Sequence, residues 1–526
     1  VSIVAPVGNG PTTTRRNIVY DNKTAGASRS TGRSWSRAVM GLAATGALLL
    51  AGATQAHAAA ASDHSPNTGR AVSSLVGHRH EAMSAGAQLS LVQAPQGLRA
   101  AVREALGTSG AASTASAIGA KLLPRDANAQ NVFGASIAVS GNTALVGATT
   151  ANGGPGAGTG AAYVFVKGPT GRWTQQAKLA ASDPAGTAKE NFGFSVALDG
   201  DTAVVGAPNR GTFSGDPFGG AGAAYVFQRS GTKWSQQAIL TLTPSGGVTG
   251  DFFGFSVAVS GGTVLAGAVG AALPLHGGNS GAVFEFVRSG AAWPQVARFA
   301  GADTAPGDAF GWDVALTGNT AVIGAPRNSP VNPGTAYVFT KTSTGFAQRA
   351  KLAAPDSQDG DLFGRSVALS GRTILVGAPG CCALDPHEGE FRGAAYTFVH
   401  SGSRWVNRAK LTARDGKAII SDTSQQGDTF GDSVALAGGT AVIGAPTKSK
   451  GPAVAGAGAD FTGAAYEFKR TGDALSGHWS QTRKVTAADG SRLDRLGFAT
   501  GIAGSTGLAG APFHNTNRGA VYLFGL

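Results

Sequence analysis

The stretch NFGFSVALDGDTAVVGAP, residues 191 to 208, decides how this chain is read; it is followed after a loop by GAAYVF at 222–227 and by WSQQAIL at 234–240. Each piece is a short run rich in β-branched and aromatic residues, bounded by Gly, Asp or Ser, with no helix-period stretch between them. That is four strands. The first connection, Leu198-Asp199-Gly200-Asp201-Thr202, is short enough for a tight hairpin whose glycine takes a positive φ. Pro208 has no N–H to give to a ladder and closes the second strand.

The unit recurs. Its opening pair stands at Phe133-Gly134, Phe192-Gly193, Phe253-Gly254, Phe310-Gly311, Phe363-Gly364 and Phe430-Gly431, with Leu496-Gly497 as a degenerate seventh, spread almost evenly along the chain. Pro326, Pro379 and Pro446 close second strands as Pro208 does. Four-stranded antiparallel sheets repeated seven times make an all-β, seven-bladed β-propeller. Small residues such as Gly193, Ser195 and Ala197 on one side of the first strand suit blades that converge on an axis. The third-strand aromatics (Tyr163, Tyr225, Phe284, Tyr337, Tyr396, Tyr466, Tyr522) and the fourth-strand tryptophans (Trp173, Trp234, Trp293, Trp405, Trp479) are expected to pack between blades.

The last unit stops at Leu526 after its third strand, while Ala120-Lys121-Leu122 matches the fourth-strand element AKL of 177–179, 350–352 and 409–411. The N-terminal strand is therefore expected to complete the last blade and remove its open edge.

The recurring Phe-Gly followed by Val/Ile-Gly-Ala-Pro resembles the FG-GAP repeat of integrin α-subunit propellers and of many bacterial secreted proteins, over residues 120–526. Integrin-type repeats often carry a calcium loop of about nine residues between these two strands. Here that connection is three residues, such as SGN or DGD, so the family's metal sites are not carried over. Asp356, Asp359 and Asp361 have a calcium-like spacing, but they precede Phe363-Gly364 in an inter-blade loop, where a solvated acidic turn is expected. No cofactor and no metal are expected.

Upstream, Arg33 and Arg37 precede an uncharged run, Ala38 to Ala53, and Ala56-His57-Ala58 supplies a small-x-small cleavage pattern. This reads as a signal peptide with an extended basic region over 1–58. Residues 59–119 read as a flexible leader with one short helix near 97–106, where Leu98, Val102 and Leu106 share a face. The mature protein is expected to be secreted, monomeric and without a membrane anchor. Cys381 and Cys382 are adjacent, and read either as two thiols or as a vicinal disulfide.

Formal net charge is +12, of which the segment 1–58 supplies +5 from six Lys+Arg and one Asp. The remainder shows no basic run, so nucleic acid is not an expected partner. No Gly-x-Ser-x-Gly elbow, His-Glu-x-x-His or phosphate-binding glycine loop occurs, and the chain is not expected to be an enzyme. The second-to-third-strand and inter-blade connections share one face and hold the long insertions: 149–160, 209–221, 269–280, 380–392 and 447–462. That face is expected to bind an extracellular protein or glycan. Its candidate ligand-binding residues are His276, Asp385, His387, Glu388, Glu390 and His514. An enzyme with a central axial pocket and a structural envelope or matrix protein are the other readings.

Overall fold

The computed structural model describes residues 115–118, 120–128, 130–150, 158–182, 190–211, 220–242, 250–271, 279–326, 333–380, 392–416, 427–450 and 460–526. The expected helix near 97–106, the signal segment, His276, Cys381, Cys382, Asp385, His387, Glu388 and Glu390 lie outside them.

Seven antiparallel sheets stand in a ring, each a meander whose first strand is innermost and whose fourth is outermost. The first strands touch one another all the way round, the last against the first. All seven first-to-second turns are two residues long and begin with a glycine at φ between 54° and 57° (Gly141, Gly200, Gly261, Gly318, Gly371, Gly438, Gly504). This is the geometry of a turn whose first central residue is Gly. Second and third strands are almost wholly buried, whereas the outer strand Arg404–Leu411 alternates between exposed and half-buried positions until Leu411. A strand that meets solvent on one side must alternate in this way.

Each blade leans on the next through the Phe-Gly pair. Phe133 is fully buried and meets Tyr163 and Phe165 of its own blade edge-on, at 5.6 and 5.9 Å between ring centroids. It belongs to one core cluster with Leu122, Leu508 and Val521 of the last blade. A phenylalanine so placed contributes roughly 2–3 kcal/mol of burial. The glycine is forced by two demands: Gly193 has φ +90°, and a methyl on it would overlap the Ala161 carbonyl of the preceding blade, while its own carbonyl lies where a methyl on Gly147 of that blade would stand. Seven such glycine pairs run round the ring, from Gly147 with Gly193 to Gly510 with Gly134. Ser136, Ser195, Ser256, Ser366 and Ser433 each donate to the facing glycine carbonyl, at 2.6–2.9 Å. In the fourth blade Asp313 replaces this serine and accepts the N–H of Val367 instead, at 2.7 Å.

The closure expected from the sequence is present. Lys121–Leu122 pairs antiparallel with Ala520–Gly525, Lys121 opposite Tyr522 and Leu122 opposite Val521, and Leu122 is buried. An additional strand lies upstream, within the segment read as leader. Ala115–Ile118 runs parallel along the outer strand His478–Ala487 of the sixth blade and gives that blade five strands. The ordered body thus reaches back at least to Ala115. Four residues of mixed polarity carry no periodicity that could have revealed it.

Candidate functional site

The ends of the blades near the Phe-Gly pairs form the face that carries the long connections. Its framework begins two residues before each phenylalanine, where an acid or amide recurs in all seven units: Asn131, Glu190, Asp251, Asp308, Asp361, Asp428 and Asp494. Six are buried and Asp361 is half-buried. Asp308, Asp361 and Asp494 each accept the backbone N–H three residues earlier, at 2.7–2.8 Å, which closes the inter-blade turn. Asp428 instead accepts from the buried Lys448 ammonium at 2.6 Å and so anchors the start of the sixth blade's long connection. The residue between acid and phenylalanine has φ between 49° and 56° in every blade (Val132, Asn191, Phe252, Ala309, Leu362, Thr429, Arg495). Left-handed backbone at a non-glycine residue costs about 1 kcal/mol, so the fold imposes this bend against local preference. The acid was visible in the sequence at a fixed offset; the bend was not, because these seven side chains share no chemistry.

The residue after each Phe-Gly pair forms a second ring, at the long-loop end of the inner strands. Its members are Ala135, Phe194, Phe255, Trp312, Arg365, Asp432 and Phe498. Five consecutive members, Phe194 to Asp432, touch in order. Phe194 and Phe255 lie 4.9 Å apart, Phe255 and Trp312 4.8 Å, and the Arg365 guanidinium sits 4.7 Å above Trp312. Arg365 Nε then donates to Asp432 at 3.0 Å. Beyond Asp432, Arg495 stacks on Phe513 at 5.4 Å. Burial lowers the Arg495 pKa, and the charge of Asp432 opposes that shift. One arc is therefore aromatic and the other ionic.

Farther out, a tyrosine bolt joins successive blades. Tyr337 donates to Asp303 at 2.9 Å, and Lys351 pairs with the same carboxylate at 2.5 Å; Asp303 belongs to the tail of the preceding blade's outer strand. Tyr396 with Asp356 and Lys410, Tyr466 with Asp415 and Lys484, and Tyr522 with Asp489 and Lys121 repeat the arrangement. Burial, followed by the hydrogen bond and charge of Asp356, pushes the Tyr396 hydroxyl well above its ordinary range. The third blade has Phe284 at the tyrosine position, and in the sequence Pro244, four residues after Leu240 and outside the described residues, stands at the offset where Asp303, Asp356, Asp415 and Asp489 follow the other outer strands. Hydroxyl and acceptor are missing together, as expected if each serves only the other. A cavity of about 250 Å³ adjoins the fourth-blade bolt, lined by Tyr337, Asp303, Asp308, Lys351 and Pro333 among others.

These contacts fix the positions of the candidate residues that fall among the described ones. Asp356 is bound to Tyr396 and Lys410, Asp361 closes its own turn, and Asp359 is exposed, so the three carboxylates do not converge. His514 turns inward. It is 7% exposed, with Nδ1 2.8 Å from Asp494 and Nε2 3.2 Å from Lys121 and 3.4 Å from the Tyr522 hydroxyl. The histidine joins the closing strand to the last blade, a role its place in a loop after Gly-Ala-Pro did not suggest.

Seven matches to the FG-GAP repeat model cover residues 119–165, 173–227, 234–286, 293–339, 346–398, 405–468 and 479–524. Among curated proteins, none matches the chain. Every matched unit begins in the outer strand of one blade and ends in the third strand of the next, so the sequence repeat and the structural blade are out of phase by one strand. With its repeats spanning most of the sequence and its blades built on their Phe-Gly and Gly-Ala-Pro elements, the chain belongs to the FG-GAP repeat family.

Proposed function

We propose that this propeller is a binding module, exported from the cell, that engages an extracellular protein or glycan through its long-loop face and performs no chemistry of its own. One observation carries the reading: the long connections, the aromatic and ionic ring and the anchored loop bases all gather at one face. The opposite face consists mainly of two-residue turns. Binding residues belong on extended loops held by a rigid frame. The groups that resemble catalytic machinery have structural partners. The His514–Asp494 pair ends on Lys121 and on Tyr522, both already bonded to Asp489.

Immobilised protein lacking residues 1–114 is exposed to extracellular material and the captured ligand is identified. A variant with residues 212–219, 272–278 and 451–459 each replaced by a short Gly-Ser link is compared. Loss of capture with an unchanged melting temperature is expected. Equal capture by both proteins, or turnover of the captured molecule, overturns the reading.

A further inference from the structure

The rim formed by the first-to-second and third-to-fourth turns gathers cations from every blade but the last. The fourth residue after each third-strand aromatic is Lys167, Arg229, Arg288, Lys341, His400 or Arg470 in the first six blades. Several are half-buried and reach across to the preceding blade: Lys167 to Thr506, Arg229 to Thr143, Lys341 to Thr263 and Arg470 to Thr373, at 2.8–3.2 Å. The turns add Arg172, Lys233, Arg372, Arg404 and Lys469, which with Arg288 make six exposed cations. Five carboxylates answer the ten positive charges of this rim: exposed Asp199, Asp201 and Asp473, and buried Glu285 and Glu467. The rim therefore carries a net charge of +5. Among the described residues, Arg172, Lys233, Arg288, Arg372 and Arg404 form no ion pair.

The rim is also built mainly of short turns. Its seven inner turns are two residues long, and several are locked to their neighbours: Gly200 N–H to Ser140, Gly261 N–H to Asp199, Gly318 N–H to Ser260 and Gly438 N–H to Ser370, at 2.8–3.1 Å. The longest outer turn on this rim, between Thr471 and His478 of the sixth blade, carries Leu475, which is 37% exposed.

We propose that this rim docks the propeller on a planar anionic lipid surface and so holds the long-loop face away from it. Cations at the short-turn ends of six separate blades suit an extended surface of negative charge. They offer no groove to follow a nucleic-acid strand. An exposed leucine beside them suits the headgroup boundary. Each cation held near such a surface strengthens partitioning about fivefold. The attraction is screened by salt within a Debye length.

The test is co-sedimentation of the protein lacking residues 1–114 with vesicles of phosphatidylcholine carrying phosphatidylglycerol as the minority, anionic component, at low and high salt, against pure phosphatidylcholine. Binding to the anionic vesicles alone, weakened by salt, is expected. Arg172→Glu/Lys233→Glu/Arg404→Glu should weaken it about a hundredfold or more. Arg298→Glu/Arg349→Glu/Arg408→Glu, with the same charge change on the outer strands, should leave most of it. Melting temperatures establish that both variants fold. Absence of binding, equal loss in the two variants, competition by soluble glycerol phosphate at millimolar concentration, or tighter binding to duplex DNA than to the vesicles overturns the proposal.

Discussion

Blade five and blade seven share one plan and differ in how the fourth strand is supplied. In blade five, Arg404–Leu411 follows the third strand through a two-residue turn and pairs with it at seven positions. In blade seven the fourth strand arrives from the other end of the chain and pairs at two, Lys121 with Tyr522 and Leu122 with Val521. Side chains compensate for the missing ladder. Leu122 enters the core with Phe133 and Val521; Lys121 pairs with Asp489 at 2.6 Å; His514 and Asp494 stand behind it; and the Leu523 N–H donates to the Ala120 carbonyl at 2.9 Å. The fourth strand of blade seven is held less by backbone pairing than by one apolar residue and one charged network. That blade should therefore be the most easily opened of the seven.

The largest effect expected from that comparison comes from truncation. Removing residues 1–123 deletes Leu122 and Lys121, costs roughly 5 kcal/mol from one buried leucine and one charge-assisted pair, and leaves Val521–Phe524 as a bare edge. Low melting temperature and association in light scattering are expected. Removing 1–118 strips only the parallel strand from blade six and the packing of Ile118, for about 1–3 kcal/mol. Removing 1–114 leaves both strands in place and serves as the reference. Equal melting of all three would mean that the two ends do not share a blade.

A smaller contrast uses the glycine contacts, which are alike in the two blades. Gly377→Ala would overlap the Gly431 carbonyl and Gly510→Ala that of Gly134. Each should cost about 3 kcal/mol or less, as overpacking does. The cost should be lower in blade seven, whose short fourth strand can yield. Denaturant midpoints compare them, and an equal cost would show the closing blade to be as stiff as the rest.

The bolts provide a finer comparison. Asp356→Ala leaves the buried Tyr396 hydroxyl without its acceptor, and Asp489→Ala leaves that of Tyr522 with only the longer contact to His514, each for about 1–3 kcal/mol. The second should cost more, since Asp489 also holds Lys121. Adding Tyr396→Phe to Asp356→Ala should recover part of the loss, because blade three is built with Phe284 at this position. A double-mutant cycle reads the coupling, and a zero value would remove the bolt from the account.

The smallest expected effect is on pH dependence. Burial favours protonation of Asp489, but the hydrogen bonds of Lys121 and Tyr522 and the charge of Lys121 prevail and hold it at about 2. Asp126, Asp303, Asp356 and Asp415 are also held below the usual carboxylate value. For a carboxyl depressed on folding, the stabilisation is complete above the unfolded pKa near 4 and disappears as pH falls toward the folded value. Thermal stability should fall between about pH 4 and pH 2, and Asp489→Asn should flatten that fall slightly. A variant as acid-labile as the parent would show that other groups dominate.

Much of this architecture was legible in the residues themselves. Strands, tight glycine turns and the position of the closing strand follow from contacts a few positions apart and from a repeat counted seven times. Alternation and turn glycines record such short-range demands directly. The acid before each Phe-Gly pair was equally present in the sequence and went unread, because its work is to hold a bend that no side-chain type betrays. Other features arise only from the tertiary structure. His514 is buried because the closing strand brings Lys121 beside it from almost the other end of the chain. Ala115–Ile118 finds an edge on a blade formed far along the chain. The cations of the short-turn rim are scattered through the sequence without any run. They share a face because strands alternate in direction, so the same strand end returns to the same rim in each blade. Linear spacing decides the blade, while the face a charge joins is settled only when the blades close into a ring.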